Sequence, residues 1–589
     1  MDVFAAARRA TLLALLLLGP TCEALAISPR PVEGRRGMVV SEQAIAARVG
    51  ADILRRGGNA VDAAVAVGYA LAVVHPCCGN LGGGGYMLVR LADGRATFID
   101  FREVAPGAAT AGMFLDGDGN LVPDASLKGW RAVAVPGSVL GLDTALERFG
   151  TMSRTQVMAP AIALAREGYV LSAGDAAILA TGTQAFRADP TLAAIFLKDG
   201  AALKAGDRLV QSDLASTLSA IAAGGPAAFY RGEIPRRIVA ASAAGGGLLS
   251  AQDFASYAVR VGEPLRCTYR GYDILTAAPS SAGGTAICEI LNILEGYPLS
   301  SSGAGAAETV HIMAEAMRQA FIDRNSALID PAFGANPLER LLSKDYAVAI
   351  RAHIDPARAA ISTLDDPSAA PHEGTETTHY SVADAAGNTV AVTYSLNAYF
   401  GARVMAPGTG VFLNDTMDDF TTKPGNSNAF GLVQGARNAI APGKRPLSSM
   451  SPTIVVREGK PYLVLGSPGG SRIISSVVQT LVNVIDHGMT LQEAVDAPRI
   501  HHQWLPDVLF AEPYALSPDT IRLLVEKGHK VVVQRPWSAV EAIQFPDAGP
   551  ARAQQPAFGA DTLRLWKPRP DTVYGANDNR RPAGAAEAP

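Results

Sequence analysis

Charge is scarce in this chain: only 18% of its 589 residues are Asp, Glu, Lys or Arg, against about 25% in an average soluble protein. Neither sign dominates, since 51 basic and 55 acidic side chains leave a net charge of -4. Without a basic stripe to neutralise phosphates, no nucleic-acid partner is expected. Cysteine is rarer still, five in all, too few for a disulfide framework. Long apolar runs are missing too. The N-terminal run, residues 11–18, is about half of the roughly 20 needed to span a bilayer. Several chemical signatures also fail. Gly79-Asn-Leu-Gly-Gly-Gly-Gly85 lacks dinucleotide-loop spacing, Gly443-Lys444 leads into Arg rather than a P-loop hydroxyl, and no GxSxG or HExxH occurs. Asp116-Gly-Asp-Gly-Asn120 starts like a calcium loop, but Leu121 stands where the loop needs Gly. No metal and no cofactor are assigned.

What the chain has is apolar mass. Hydrophobic residues make up 48%, with 59 Gly and 38 Pro showing no period. That composition buries a large core and excludes disorder and collagen. Arg8-Arg9, the apolar run and Ala24-Leu-Ala26 form an export signal covering 1–26. The mature protein is expected to be exported, periplasmic or secreted, with no membrane span. Cys22 would leave with the signal. Cys77, Cys78, Cys267 and Cys288 are read as buried free thiols, with one bridge open as an alternative.

Periodicity then lays out the elements. Residues 37–40 read as a strand with Ser41 capping the next helix. Asn59 caps a helix over 60–74 that is apolar on nearly every side, hence buried. Residues 86–91 and 97–101 alternate around Asp93-Gly94, a hairpin signal. Residues 130–350 read as mostly helical, including 308–323. Residues 351–376 carry no apolar period and read as an exposed connector. Beyond it lie strands at 377–383 and 389–395, a hairpin of 453–456 with 462–465, and a helix from Ser471 to Ile485. Residues 567–589 read as a mobile tail.

A Thr at the junction between connector and strand is notable chemically. A hydroxyl is a weak nucleophile unless a base takes its proton, and the residue's own α-amine can be that base once the preceding peptide bond is cut. Its pKa of about 7.7–8.0 suits the task. The strings around this Thr carry the reading further. Thr377-Thr-His-Tyr-Ser-Val382, Val392-Thr-Tyr-Ser-Leu-Asn397, Met417-Asp-Asp-Phe420, Arg445-Pro-Leu-Ser-Ser-Met-Ser-Pro452 and Gly466-Ser-Pro-Gly-Gly-Ser-Arg472 closely resemble the γ-glutamyltranspeptidase family. So do Gly57-Gly-Asn-Ala-Val-Asp-Ala63, Gly79–Gly85, Phe101-Arg-Glu103, Val135-Pro-Gly-Ser138 and Pro279-Ser-Ser-Ala-Gly283.

The resemblance implies a four-layer αββα sandwich of the N-terminal nucleophile hydrolase type. It implies a precursor that cuts itself between Glu376 and Thr377 into a heterodimer of a large subunit, 27–376, and a small one, 377–589. Thr377 would be the nucleophile, Ser395 its supporting hydroxyl, and Gly469 and Gly470 the oxyanion hole. Arg102, Ser448 and Ser449 would hold the α-carboxylate of a small γ-glutamyl substrate. Asn397, Thr416 and Asp419 would take its α-ammonium, and Phe430 would sit in the lid. Two departures stand out: Thr416 replaces a longer Glu or Gln, and Phe430 replaces a Tyr common in bacterial relatives. A glutaryl-type acylase on the same scaffold is the enzymatic alternative. An unprocessed binding or structural protein is the non-enzymatic one.

Overall fold

The structure, a computed structural model, describes residues 28–363, 376–546 and 569–589. The expected export signal, 1–26, and residues 364–375 of the expected connector lie outside the described residues. Two seven-stranded sheets form the centre. In the first, the strand Thr378–Asp384 lies between Gly37–Ser41 and Thr389–Ser395, and the order continues through Gly84–Arg90, Ala96–Asp100 and Arg260–Gly262. Every pairing in it is antiparallel. The second is also antiparallel and is built around the hairpins Thr453–Arg457 with Lys460–Leu465 and Leu265–Tyr269 with Tyr272–Thr276.

Strand alternation sorts side chains into layers. Tyr380, Val382, Val390, Val392 and Tyr394 face a core shared with the helices Ala44–Arg55 and Ala60–Val74. Met38, Val40, Tyr86 and Leu88 face the other way, into the core holding the second sheet and the helices Gly283–Leu294, Ala307–Ala327 and Arg472–Ile485. Helices cover both outer faces, which is the expected αββα sandwich. The helix Ala60–Val74 is buried on all sides, and Asn59 caps it in a reciprocal capping box with Asp62.

Other expectations need correction. Ser41 ends a strand, and the next helix is capped instead by the Gln43 side chain, which accepts from Ile45 and Ala46 N–H. Glu376, expected at the end of an exposed connector, is buried at 4% exposure. The tail is folded: Val573–Ala576 pairs in the second sheet and Ala585–Glu587 in the first. Between them Asp578 is buried and accepts from Arg499 Nη2 at 2.6 Å and Val540 N at 2.9 Å. A polar segment becomes ordered when its backbone completes sheets and its charge is matched by a buried arginine. The thiol expectation fails as well. Cys267, on an edge strand, is disulfide-bonded to Cys288 of the helix Gly283–Leu294, and Cys77 is bonded to Cys78. Sheet-to-helix packing brings the first pair together across 21 residues of sequence.

Candidate active site

Thr377 immediately precedes a central strand whose register sets Thr378 opposite Tyr394. That register carries Thr377 alongside Ser395, and the two hydroxyl oxygens lie 3.0 Å apart. Ser395 Oγ also accepts from Asn397 N–H at 2.8 Å. Thr377 has a φ of 87°, a costly conformation for a β-branched residue and one that tends to mark functional backbone. Ser395 lies opposite Gly84 of the neighbouring strand. A Cβ at Gly83 would stand 2.0 Å from the Ser395 carbonyl oxygen. The glycine run is therefore a close-packing device beside Ser395, not a phosphate loop.

Gly466–Gly470 turns out of the strand Lys460–Leu465 toward the helix Arg472–Ile485. Gly469 adopts φ 120° and Gly470 φ 56°, conformations open to glycine. Gly469 N–H donates to the carbonyl oxygen of Glu376 at 2.9 Å. The chain is continuous from Glu376 to Thr377, so this donor rests on the carbonyl that self-cleavage would attack.

The same place holds a cavity lined by Thr377, Ser395, Asn397 and Gly470, and by Arg102, Asp419, Ser448 and Ser449. Arg102 follows the strand Ala96–Asp100 and is 1% exposed. Its Nη2 donates to Asp419 Oδ2 and its Nη1 lies 3.5 Å from Glu103 Oε2. Burial works against the Arg102 charge, but Glu103 and Asp419 more than offset it and keep the guanidinium protonated. Burial raises the Asp419 carboxyl, and Arg102 acts in the opposite sense.

A threonine hydroxyl at a strand start, an aligned backbone donor and a buried cation–anion pair now stand together. The γ-glutamyltranspeptidase family model matches residues 46–586. The chain belongs to the γ-glutamyltranspeptidase family. It is 52% identical to a glutathione hydrolase proenzyme of Pseudomonas sp. (strain A14), covering 95% of this chain and 96% of the relative. It is 49% identical to the glutathione hydrolase proenzyme of Escherichia coli (strain K12), covering 88% and 90%. It is 42% identical to the acylase ACY 1 proenzyme of Pseudomonas sp. (strain SE83), covering 90% and 92%. Among solved structures, cephalosporin acylase from Bacillus halodurans matches with a TM-score of 0.80 at 27% identity, covering 97% and 99%. The γ-glutamyltranspeptidase of Helicobacter pylori matches with a TM-score of 0.54 at 41% identity, covering 56% and 96%.

Within the cavity of this γ-glutamyltranspeptidase family member, Thr416 is absent from the lining and Arg324 is an addition to the expected set. Thr416 is fully buried and its hydroxyl donates to Glu103 Oε1 at 2.9 Å, so it braces Glu103 instead of lining the cavity. Arg324 does line the cavity. It sits near the end of the helix Ala307–Ala327, and its Nη2 donates to Ser449 Oγ at 3.0 Å. Burial lowers its pKa to about 10, still above neutrality. The available signal was its position: Met313, Met317, Phe321 and Arg324 share one buried helical stripe, and an arginine on such a stripe needs polar partners. Phe430 also lines the cavity, and a Cβ on Gly470 would stand 2.5 Å from its ring. Its loop is held by Ala429 N–H on Asp418 Oδ2 at 2.9 Å and by Asn428 Nδ2 on Asp419 Oδ1 at 3.4 Å.

Proposed function

We propose that this chain is an exported, self-processing γ-glutamyltransferase that hydrolyses glutathione and related γ-glutamyl amides and can pass the acyl group to amino acids or peptides. The observation that carries this reading is the Arg102–Asp419 pair in the cavity of Thr377. A γ-glutamyl head group is a zwitterion. It can exchange one buried ion pair for two, its carboxylate meeting Arg102 and its ammonium meeting Asp419, so no charge is left unmatched. Ser449 accepts from Arg324, which leaves its own hydrogen free for a carboxylate oxygen.

Processing would begin with Thr377 Oγ1 attacking the Glu376 carbonyl carbon while Gly469 N–H takes up the developing negative charge. The peptide bond gives way to an ester, water opens it, and the α-amine of Thr377 is released as base. In turnover that amine accepts the hydroxyl proton as Oγ1 attacks the γ-carbonyl, and returns it to the leaving amine. The γ-glutamyl ester on Thr377 then passes to water or to an acceptor amine. Gly469 and Gly470 precede a helix N-terminus, where the dipole favours an oxyanion. The basic and apolar start of the chain, ending in Ala24-Leu-Ala26, supports export, and no helix among the described residues is long and apolar enough to cross a membrane.

The rival is a glutaryl acylase, favoured by the resemblance to ACY 1 and by the loss of Thr416 as an ammonium ligand. A glutaryl donor lacks the ammonium and would leave Asp419 unmatched, which is costly in a buried site. Comparing kcat/KM on a γ-glutamyl anilide and its glutaryl analogue decides the matter. The γ-glutamyl donor should win. Equal rates, unchanged in Asp419→Ala, would establish the acylase instead.

A further inference from the structure

Away from this cavity, the helix Ala60–Val74 ends in a tight turn at which His75, Cys77 and Cys78 converge. All three are buried, and their donor atoms lie within 4.8 Å of one another. Cys77 Sγ stands 3.5 Å from His75 Nε2. The turn is held by Cys78 and Gly79 N–H groups, both donating to the His75 carbonyl. The two cysteines are joined as a disulfide.

We infer that the reduced Cys77–Cys78 pair, with His75, forms a binding site for a thiophilic d10 cation, Cu(I) or Zn(II). Two thiolates and an imidazole are the donor set such ions select. Three further observations point to a cation. The site lies at the C-terminal end of a buried helix, where the dipole favours positive charge. A small pocket reaching the half-buried Ile178 is lined by His75 and Cys77. Asp175 lines the same cavity and has a buried Oδ1 with no hydrogen-bond partner among the described residues.

Disulfide and metal site are alternative states of one pair. Two low-molecular-weight thiols supply two electrons and two protons. The S–S bond opens to two S–H groups, and the donors leave joined as their own disulfide. The cation then displaces both thiol protons.

The test uses the full protein, reduced anaerobically with a phosphine, desalted, and exposed to Cu(I) or Zn(II) against a competing chelator. Roughly one equivalent of at least one of these ions should be retained per chain. Cys77→Ser/Cys78→Ser should abolish that retention, and His75→Ala should weaken it roughly tenfold or more. Self-cleavage and anilide turnover report whether each variant is folded. Alkylation of the unmodified protein read by mass spectrometry needs no variant: bound metal should protect Cys77 and Cys78, and leave Cys267 and Cys288 as they are in metal-free protein. The site is refuted if neither ion is retained, if the double serine variant keeps its metal, or if protection falls on Cys267 and Cys288.

Discussion

Gly469 donates its backbone N–H to the carbonyl oxygen of Glu376 at 2.9 Å, across the bond that precedes Thr377. The donor assigned to catalysis thus sits on the precursor's own carbonyl, and one set of groups can serve both processing and turnover.

Thr377→Ala should leave a single uncut chain with no anilide turnover, because no hydroxyl remains to attack Glu376. Thr377→Ser should cut slowly and keep some activity. A denaturing gel reads both, and normal cutting of the alanine variant would show that an external protease does the work.

Arg102→Ala should lower kcat/KM for γ-glutamyl donors by roughly 10- to 150-fold, the loss of one charge-assisted hydrogen bond at about 1.5–3 kcal/mol. Self-cleavage should persist, because the Glu376 carbonyl makes no use of Arg102. A folded but uncut variant would reassign Arg102 to the precursor's architecture.

Arg324→Met removes the donor on Ser449 while keeping a long apolar stem. KM should rise roughly tenfold with little change in kcat, on the scale of one hydrogen bond. Adding Ser449→Ala to this variant should cost little more, since the two act as a unit. Fully additive losses would mean that Ser449 does not depend on Arg324.

Thr416→Val should act on stability, not on substrate binding. It leaves buried Glu103 Oε1 without its hydroxyl donor, at about 1–3 kcal/mol. The denaturant midpoint should fall while KM stays close to wild type. A raised KM at unchanged stability would restore the expected ammonium role.

Glu42 supplies a pH dependence. Burial raises its carboxyl from 4.5 to about 7, with Arg581 pulling the other way. The folded state therefore holds this proton more tightly than the unfolded one. The stabilising contribution is complete below pH 4.5 and is lost as pH rises toward about 7, by about 3 kcal/mol at roughly 1.4 per unit. Between those limits the unfolding midpoint of Glu42→Gln should fall less than that of wild type. Parallel profiles would remove Glu42 as the source.

The local grammar of this protein is legible residue by residue. Asn59 with Asp62, the mostly apolar stretch 60–74, the alternation of 389–395 and the glycines at 469 and 470 all act within a few positions along the chain, where propensity and period operate. The strings around Thr377 and Arg102 were legible for the same reason, being continuous in sequence. What tertiary structure decided are partnerships between distant positions. The tail became two strands because Val32–Gly34 and Gly37–Ser41, far away in the chain, pair with its backbone. Thr416 was diverted to Glu103, 313 residues away, and Arg324 reached Ser449 across 125. A hydroxyl or guanidinium has no preferred partner until folding buries it and water no longer competes, and only then does geometry choose.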